Sequence, residues 1–355
     1  MSSELHSNQK LLAYTLGGFL AGAGSLLLFK KLVCRPRNQP GQCPFTGKRK
    51  QQVITQRFAC IELGGTSIRL AIGIKETHPD GTQTCKFDQE SFKTIETKEP
   101  EDNIQQIKEY FENQNIDSVG IASFGPICLD ETSEQYGYIT TTPKVSWKNF
   151  PLLKRVSEVI PHRKNQRIGF DTDVNAAACA EYNFGNHKAK KSLAYITVGT
   201  GVGVGLIVDG KCVHGLTHPE GGHVLIKPAQ GETFQGVCKS HGNCVEGMVT
   251  NHAIAEKLNT NINELSKIED SHEIWDSVAY YLAQLCLNLT LISSPEVIVI
   301  GGGIMNRQPL LSLIKQNFIK LLNQYVDHPR LSSNIDDYIV KPFFSDSGLV
   351  GSMVV

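Results

Sequence analysis

Apolar positions along this chain recur with two periods, one suited to strands and one to helices. Residues 58–74 (FACIELGGTSIRLAIGI) are two apolar runs meeting at Gly64-Gly65-Thr66, which predicts a hairpin opening a sheet. Residues 87–98 supply a third strand, and residues 100–114 a helix with Ile104, Ile107, Tyr110 and Phe111 on one face. A short buried strand over 118–124 stops at Gly125-Pro126. Residues 149–159 and 174–184 have helical patterning, the second rich in alanine and preceded by a strand over 167–170. Residues 192–208 repeat the opening theme, with Gly199-Thr200-Gly201 between two β-rich runs. A loop-rich stretch follows, then a long helix near 277–293, a strand over 297–300, Gly301-Gly302-Gly303, and a helix after Pro309. Strands interspersed with helices predict an α/β protein, and the two hairpins predict two similarly built lobes, residues 58–170 and 171–355.

The amino-terminal end differs in kind. After a short tail (residues 1–10), residues 11–29 read LLAYTLGGFLAGAGSLLLF, an uncharged run of about 19 residues, near the length that spans a bilayer as a helix. Lys30, Lys31, Arg35 and Arg37 follow it, against a single Lys10 before it, so the positive-inside bias predicts a single-pass membrane anchor with everything after it facing the cytosol. A cleaved secretory signal and a buried helix of the globular region are the alternatives. Residues 30–57 are polar, basic and Pro-containing, which predicts a linker.

The length of 355 residues allows two cores plus an appendage. Lys+Arg and Asp+Glu both count 35, so no net field recruits nucleic acid, and small-molecule chemistry is favoured. The 10 cysteines are scattered, without the density of a secreted disulfide scaffold, which points to a reducing compartment.

Within this frame several segments carry chemistry. Gly64, Gly65 and Thr66 let backbone N–H groups approach a phosphate, and residues 197–203 (TVGTGVG) offer alternating glycines and two hydroxyls that suit a polyphosphate clamp. Taken singly, the first turn reads more readily as a tight hairpin, the second points more to phosphate, and neither is a P-loop. Asp173, in DTDVNAAACAE, lies where a strand gives way to a helix, a place for a general base; Asp171 or Asp173 serving as a helix cap is the plainer alternative. Cys238, His241 and Cys244 form Cys-x-x-His-x-x-Cys, a donor set for Zn²⁺ that takes His223 as fourth ligand, with His218 in reserve. Glu220 and Glu246 flank this knuckle and could accept hydrogen bonds from sugar hydroxyls.

Taken together, IELGGTSIRLAI, SFGPICLD, YGYITTTPKVSWKNF, GFDTDVNAAACAE, LAYITVGTGVGVGLIVDG, GLTHPEGGH and CKSHGNCVEG resemble the ROK family of sugar kinases, and most closely its fructokinase branch. The resemblance covers about residues 58–303 and implies an actin-like (ribonuclease H-like) two-lobed fold with a cleft where ATP·Mg²⁺ and a hexose meet. It implies Asp173 as the base that deprotonates the sugar 6-hydroxyl, and Gly64, Gly65, Thr66, Thr200 and Gly201 as phosphate-holding positions. Gly302 and Gly303 would lie near the adenosine. His223, Cys238, His241 and Cys244 match structural zinc ligands, and Asn149, Glu220, His223 and Glu246 match sugar-contacting positions. It also implies a homodimer. Fructose is the expected acceptor; mannose, glucose, an N-acylhexosamine, or a silent membrane-tethered sugar sensor are the rivals. Three features depart from the family pattern: Ser67 stands where a Lys is common, the closing segment FFSDSGLVGSMVV is only loosely similar, and the amino-terminal run has no counterpart. The region before the kinase segment lacks a helix-turn-helix pattern, which argues against DNA binding.

Overall fold

Two antiparallel hairpins, each closed by a glycine turn, organise the molecule. The computed structural model describes residues 52–161 and 168–355, which fall in one unit, Gln51–Val355. In chain order the elements are β1 (Ile54–Leu63), β2 (Ser67–Thr77), β3 (Gln83–Phe87), β4 (Lys93–Glu96), α1 (Pro100–Phe111), β5 (Ser118–Ser123), α2 (Leu152–Val159), β6 (Gly169–Thr172), α3 (Asp173–Phe184), β7 (Ser192–Val198), β8 (Val202–Val208) and β9 (Lys211–Cys212). There follow α4 (Val245–Val249), α5 (Asn251–Lys257), α6 (Ile274–Ser293), β10 (Ile298–Gly301), α7 (Leu310–Leu322), β11 (Ile339–Val340) and α8 (Ser347–Gly351).

The first sheet has the order β3-β2-β1-β5-β6, with β4 also paired to β2. Strands β1 and β2 are antiparallel, with Leu63 opposite Ile68 across the first glycine turn, and β5 and β6 run parallel to β1. The second sheet, β11-β10-β7-β8-β9, repeats the plan: Val198 opposes Val202 across the second glycine turn, and β10 and β11 are parallel to β7. Each sheet buries one face under its own helices. Ile61, Leu63 and Ile121 pack with Ile107 and Phe111 of α1 and Val156 of α2, whereas Ile196 and Ile300 pack with Leu282 of α6 and Ile314 and Phe318 of α7.

Helix α3 explains its own alanine content. Ala180 joins Phe58, Cys60 and Leu349, while Ala177 and Ala178 join Leu193, Tyr195 and Val299, so the helix is gripped from both sheets. Close approach requires small residues on both partners: a Cβ at Gly205 of β8 would lie 2.2 Å from the Val174 carbonyl oxygen. Helix α8 is clamped to the same helix through Glu181, whose carboxylate accepts the N–H groups of Phe343 (2.9 Å) and Phe344 (3.2 Å) and the Ser347 hydroxyl (2.7 Å).

Several expectations change here. The third strand is two short ones, because Asp88 accepts from Glu90 N–H and nucleates a turn of 3₁₀ helix between them. Strand β1 starts at Ile54, inside the residues read as linker, and β6 straddles the expected lobe boundary at 170/171 as a member of the first sheet. The transmembrane anchor and the anchored, cytosol-facing localisation are also corrected. Among the described residues no helix is long and apolar enough to cross a membrane, and residues 11–29 lie outside them. The fold class of the described residues is the two-lobed α/β architecture, and the expected membrane helix falls outside them.

Candidate active site

The two glycine turns come together. Thr66 Oγ1 lies 3.4 Å from Thr200 Oγ1, at the mouth of a cavity of about 400 Å³. Its walls are Gly64, Gly65, Thr66 and Ser67 of the first turn, Thr200 of the second, and Gly303; Glu62 and Arg69 are its charged members. Backbone bonds hold both turns open. Thr97 fixes the first through its hydroxyl to the Gly64 carbonyl (2.8 Å) and its N–H to the Thr66 carbonyl (3.0 Å). In the second, Gly199 N–H reaches the Gly201 carbonyl at 2.9 Å, and Asn251 N–H at the start of α5 reaches the Gly199 carbonyl at 3.0 Å.

Gly201 and Gly302 stand behind this wall. A Cβ at Gly201 would lie 3.0 Å from Glu246 Oε2. Gly302 has φ +95°, and a Cβ there would lie 2.3 Å from the Val198 carbonyl oxygen, so both its conformation and its surroundings demand glycine. Gly303 is open, on the cavity side.

Asp173 is the first residue of α3, half-buried at the end of β6. The helix cap is Thr172, whose hydroxyl accepts the Asn175 N–H at 3.1 Å. Asp171 is committed elsewhere: its carboxylate accepts the Thr172 N–H (2.7 Å) and the Asn175 amide (2.8 Å), and lies 2.9 Å from His214 Nε2. The Asp171 contact in turn raises the pKa of His214, favouring the imidazolium. Asp173 Oδ1 accepts the Val174 N–H at 2.9 Å. Burial pushes its carboxyl up to about 7, and the negative charges of Glu62 and, more weakly, Glu220 push the same way. A carboxyl so tuned exchanges protons near neutrality, as general-base work requires.

On the other side lies a cluster of two thiols and two imidazoles. The ligand atoms of His223, Cys238, His241 and Cys244 lie within 4.8 Å of one another. Cys238 Sγ is 3.6 Å from His223 Nδ1 and 3.7 Å from His241 Nδ1, and Cys244 Sγ is 3.7 Å from His223 Nδ1. A tetrahedral ion with Zn–S of about 2.3 Å and Zn–N of about 2.0–2.1 Å has S···N edges of about 3.6 Å, so the set fits zinc. The reserve His218 is outside the cluster: it is buried, accepts the Ile127 N–H on Nε2 at 3.1 Å, and turns Nδ1 to Glu220 Oε1 at 3.5 Å.

Glu246 links this cluster to the second glycine turn. Its Oε2 accepts the Val202 N–H at 3.1 Å, and its Oε1 lies 3.8 Å from His223 Nε2. Glu220 is half exposed, and partial burial with the charge of Glu246 raises its carboxyl to about 7. Asn149 is exposed, in left-handed backbone at φ 58°, with its N–H on the Thr140 carbonyl; Thr140 N–H in turn reaches the Pro126 carbonyl. It therefore borders the loop that His218 braces.

Sequence reasoning passed over Glu62 and Arg69. Both are charged residues in otherwise apolar strands beside a glycine turn, which is the signal that singles them out. Arg69 Nη2 donates to Glu62 Oε2 at 2.5 Å and Nη1 donates to Asp346, so one guanidinium joins β1, β2 and the start of α8.

Two α/β lobes around a glycine-walled cavity define a two-lobed kinase architecture of the actin-like type. Residues 58–354 match the ROK family model, and the chain belongs to the ROK family. A Bacillus subtilis (strain 168) protein provisionally named a fructokinase is 39% identical over 299 residues, 83% of this chain and 93% of its own. The fructokinase of Lactococcus lactis subsp. cremoris is 37% identical over 292 residues, 82% of this chain and 93% of its own. In fold, the chain is similar to a ROK family glucokinase from Streptomyces griseus solved with glucose and AMPPNP, at a TM-score of 0.62 and 20% identity, covering 83% of this chain and 97% of that one.

Proposed function

We propose that this ATP-dependent sugar kinase transfers the γ-phosphoryl group of ATP to the 6-hydroxyl of a hexose, fructose foremost. The observation that carries the reading is the meeting of Thr66 and Thr200 over one cavity, beside a carboxyl at Asp173 raised to about 7. In this reading the N–H groups of Gly65 and Gly201 and the hydroxyls of Thr66 and Thr200 grip phosphates, Gly64 lines the cavity with its own N–H closing the turn onto the Ser67 carbonyl at 2.9 Å, and Gly302 and Gly303 give the adenosine access to backbone. ATP enters as its Mg²⁺ complex, which supplies charge neutralisation when bound. Asp173 accepts the proton of the attacking hydroxyl, and chemistry otherwise rests on holding donor and acceptor in line.

Asn149, Glu220, His223 and Glu246 would bind the sugar, with His223, Cys238, His241 and Cys244 holding a structural Zn²⁺. That ion would keep the loop rigid and orient His223, whose other nitrogen faces Glu246. Fructose is preferred because relatives named fructokinase are 33–39% identical over most of the chain. The deciding experiment is an ADP-release assay over fructose, mannose, glucose and N-acetylmannosamine. The highest kcat/KM with fructose supports the reading. A preference for another hexose replaces the acceptor, and no ADP release with any sugar overturns the kinase.

A further inference from the structure

Cys179 on α3 and Cys212 on β9 hold their sulfurs 2.8 Å apart, although they are 33 positions apart in the chain. That is about 0.8 Å beyond a sulfur–sulfur bond of about 2.0 Å. Both residues are only half-buried, so a small oxidant reaches them. The two elements are also aligned by other contacts. The Cys212 thiol points at the Asn175 carbonyl, at 3.6 Å, and His214, two residues on, meets Asp171 at 2.9 Å. The segment after β8 thus runs along the first two turns of α3. Neither cysteine belongs to the metal cluster, whose thiols are Cys238 and Cys244.

We propose that Cys179 and Cys212 form a dithiol modification site, which hydroperoxides convert to a disulfide fastening the helix that opens with Asp173 to the edge strand β9. One sulfur attacks a peroxide oxygen; the O–O bond breaks, and the departing oxygen leaves as water with that thiol's proton. The second sulfur then displaces the sulfenic hydroxyl, forming the S–S bond as the S–O bond breaks, and the second thiol's proton leaves in a second water. Two thiols and one hydrogen peroxide become one disulfide and two waters: the sulfurs lose two electrons and the peroxide gains them. Because the sulfurs already meet in the folded protein, closure preserves the fold and restricts the unfolded chain, so the oxidised form resists heat.

The test uses the full chain treated with hydrogen peroxide, then alkylated, digested and mapped by mass spectrometry. The expected product is a peptide pair joined through Cys179 and Cys212, two hydrogens lighter than the reduced pair, with Tm raised by about 5 °C. Dithiothreitol reverses both changes, and Cys212→Ser abolishes both. Should that variant misfold, the wild-type peptide map decides alone. The proposal is overturned if Cys179 and Cys212 remain alkylatable while other cysteines oxidise, or if either ends as a sulfinic acid without the joined pair.

Discussion

The hydroxyl oxygens of Thr66 and Thr200 stand 3.4 Å apart across 134 positions of chain, one from each hairpin turn. Both residues are exposed, so their meeting adds little to stability and is a property of the cavity mouth. Replacing Thr200 by Val removes one donor to a phosphate and costs roughly ten-fold in the KM for ATP, with Tm nearly unchanged. Initial rates over a range of ATP concentrations at saturating fructose check this. An unaltered KM would remove Thr200 from the nucleotide site.

Asp173 makes a paired prediction about rate and stability. As the proposed base it must be ionised, so kcat/KM climbs with pH through about 7 and levels off above. Asp173→Asn lowers kcat by about 10²- to 10⁴-fold while fructose still binds. The sign for stability is opposite. Its folded pKa lies above the ordinary aspartate value of 3.8, so the folded state binds the proton more tightly. Its contribution is therefore full below about pH 4 and is lost as pH rises through about 7. The Asn variant lacks this loss, and its Tm exceeds the wild type's at pH 8 but not at pH 4. Thermal melts at the two pH values test the point independently of activity.

Much of this arrangement is legible in the chain because short-range pattern governs it. The hairpins follow from apolar runs broken at Gly64-Gly65 and Gly199-Thr200-Gly201, and the metal cluster's neighbourhood follows from the spacing of Cys238, His241 and Cys244. Contacts between distant elements are not legible. Nothing local at Asp171 shows that His214 will occupy it, or that Thr172 will cap α3 and leave Asp173 uncommitted. The tail resembles no strong pattern because α8 is held by Glu181, 166 positions from Ser347, rather than by its own propensity. The anchor expected over residues 11–29 rested on length and flanking charge alone; among the described residues no helix is long and apolar enough to cross a membrane, and residues 11–29 lie outside them.

The cluster at Cys238 predicts a metal dependence. Cys238→Ser removes one of the four proposed ligands, and bound zinc, measured by elemental analysis of the purified protein, falls from about one per chain to well below that. Because His223 faces Glu246, and Glu246 holds Val202 N–H, the loss spreads to both substrates: KM rises for fructose and, less, for ATP. Zinc content equal to the wild type's would defeat the ligand assignment. A lost ion with both KM values unchanged would show that the knuckle does not brace the pocket.

Arg69 carries the last prediction, since it is the one cation among the described residues lining the cavity. Glu62 is largely buried beside it, and burial raises the Glu62 carboxyl despite the guanidinium's opposing charge. Arg69→Gln therefore leaves Glu62 without its partner and destabilises the fold by about 2 kcal/mol, the value of a buried pair reduced for partial exposure. The same change takes positive charge from the cavity proposed to hold phosphates and raises the KM for ATP. Strand period separates the two effects, because Ser67 and Arg69 lie on one face of β2 and both line the cavity. Ser67→Lys added to Arg69→Gln returns a cation to the phosphates and lowers the KM again, whereas the lost stability is not recovered, because the contact between Arg69 and Asp346 is still missing. Denaturant melts and ATP titrations of the three variants measure both. A KM that follows stability instead of charge would make Arg69 a purely structural residue.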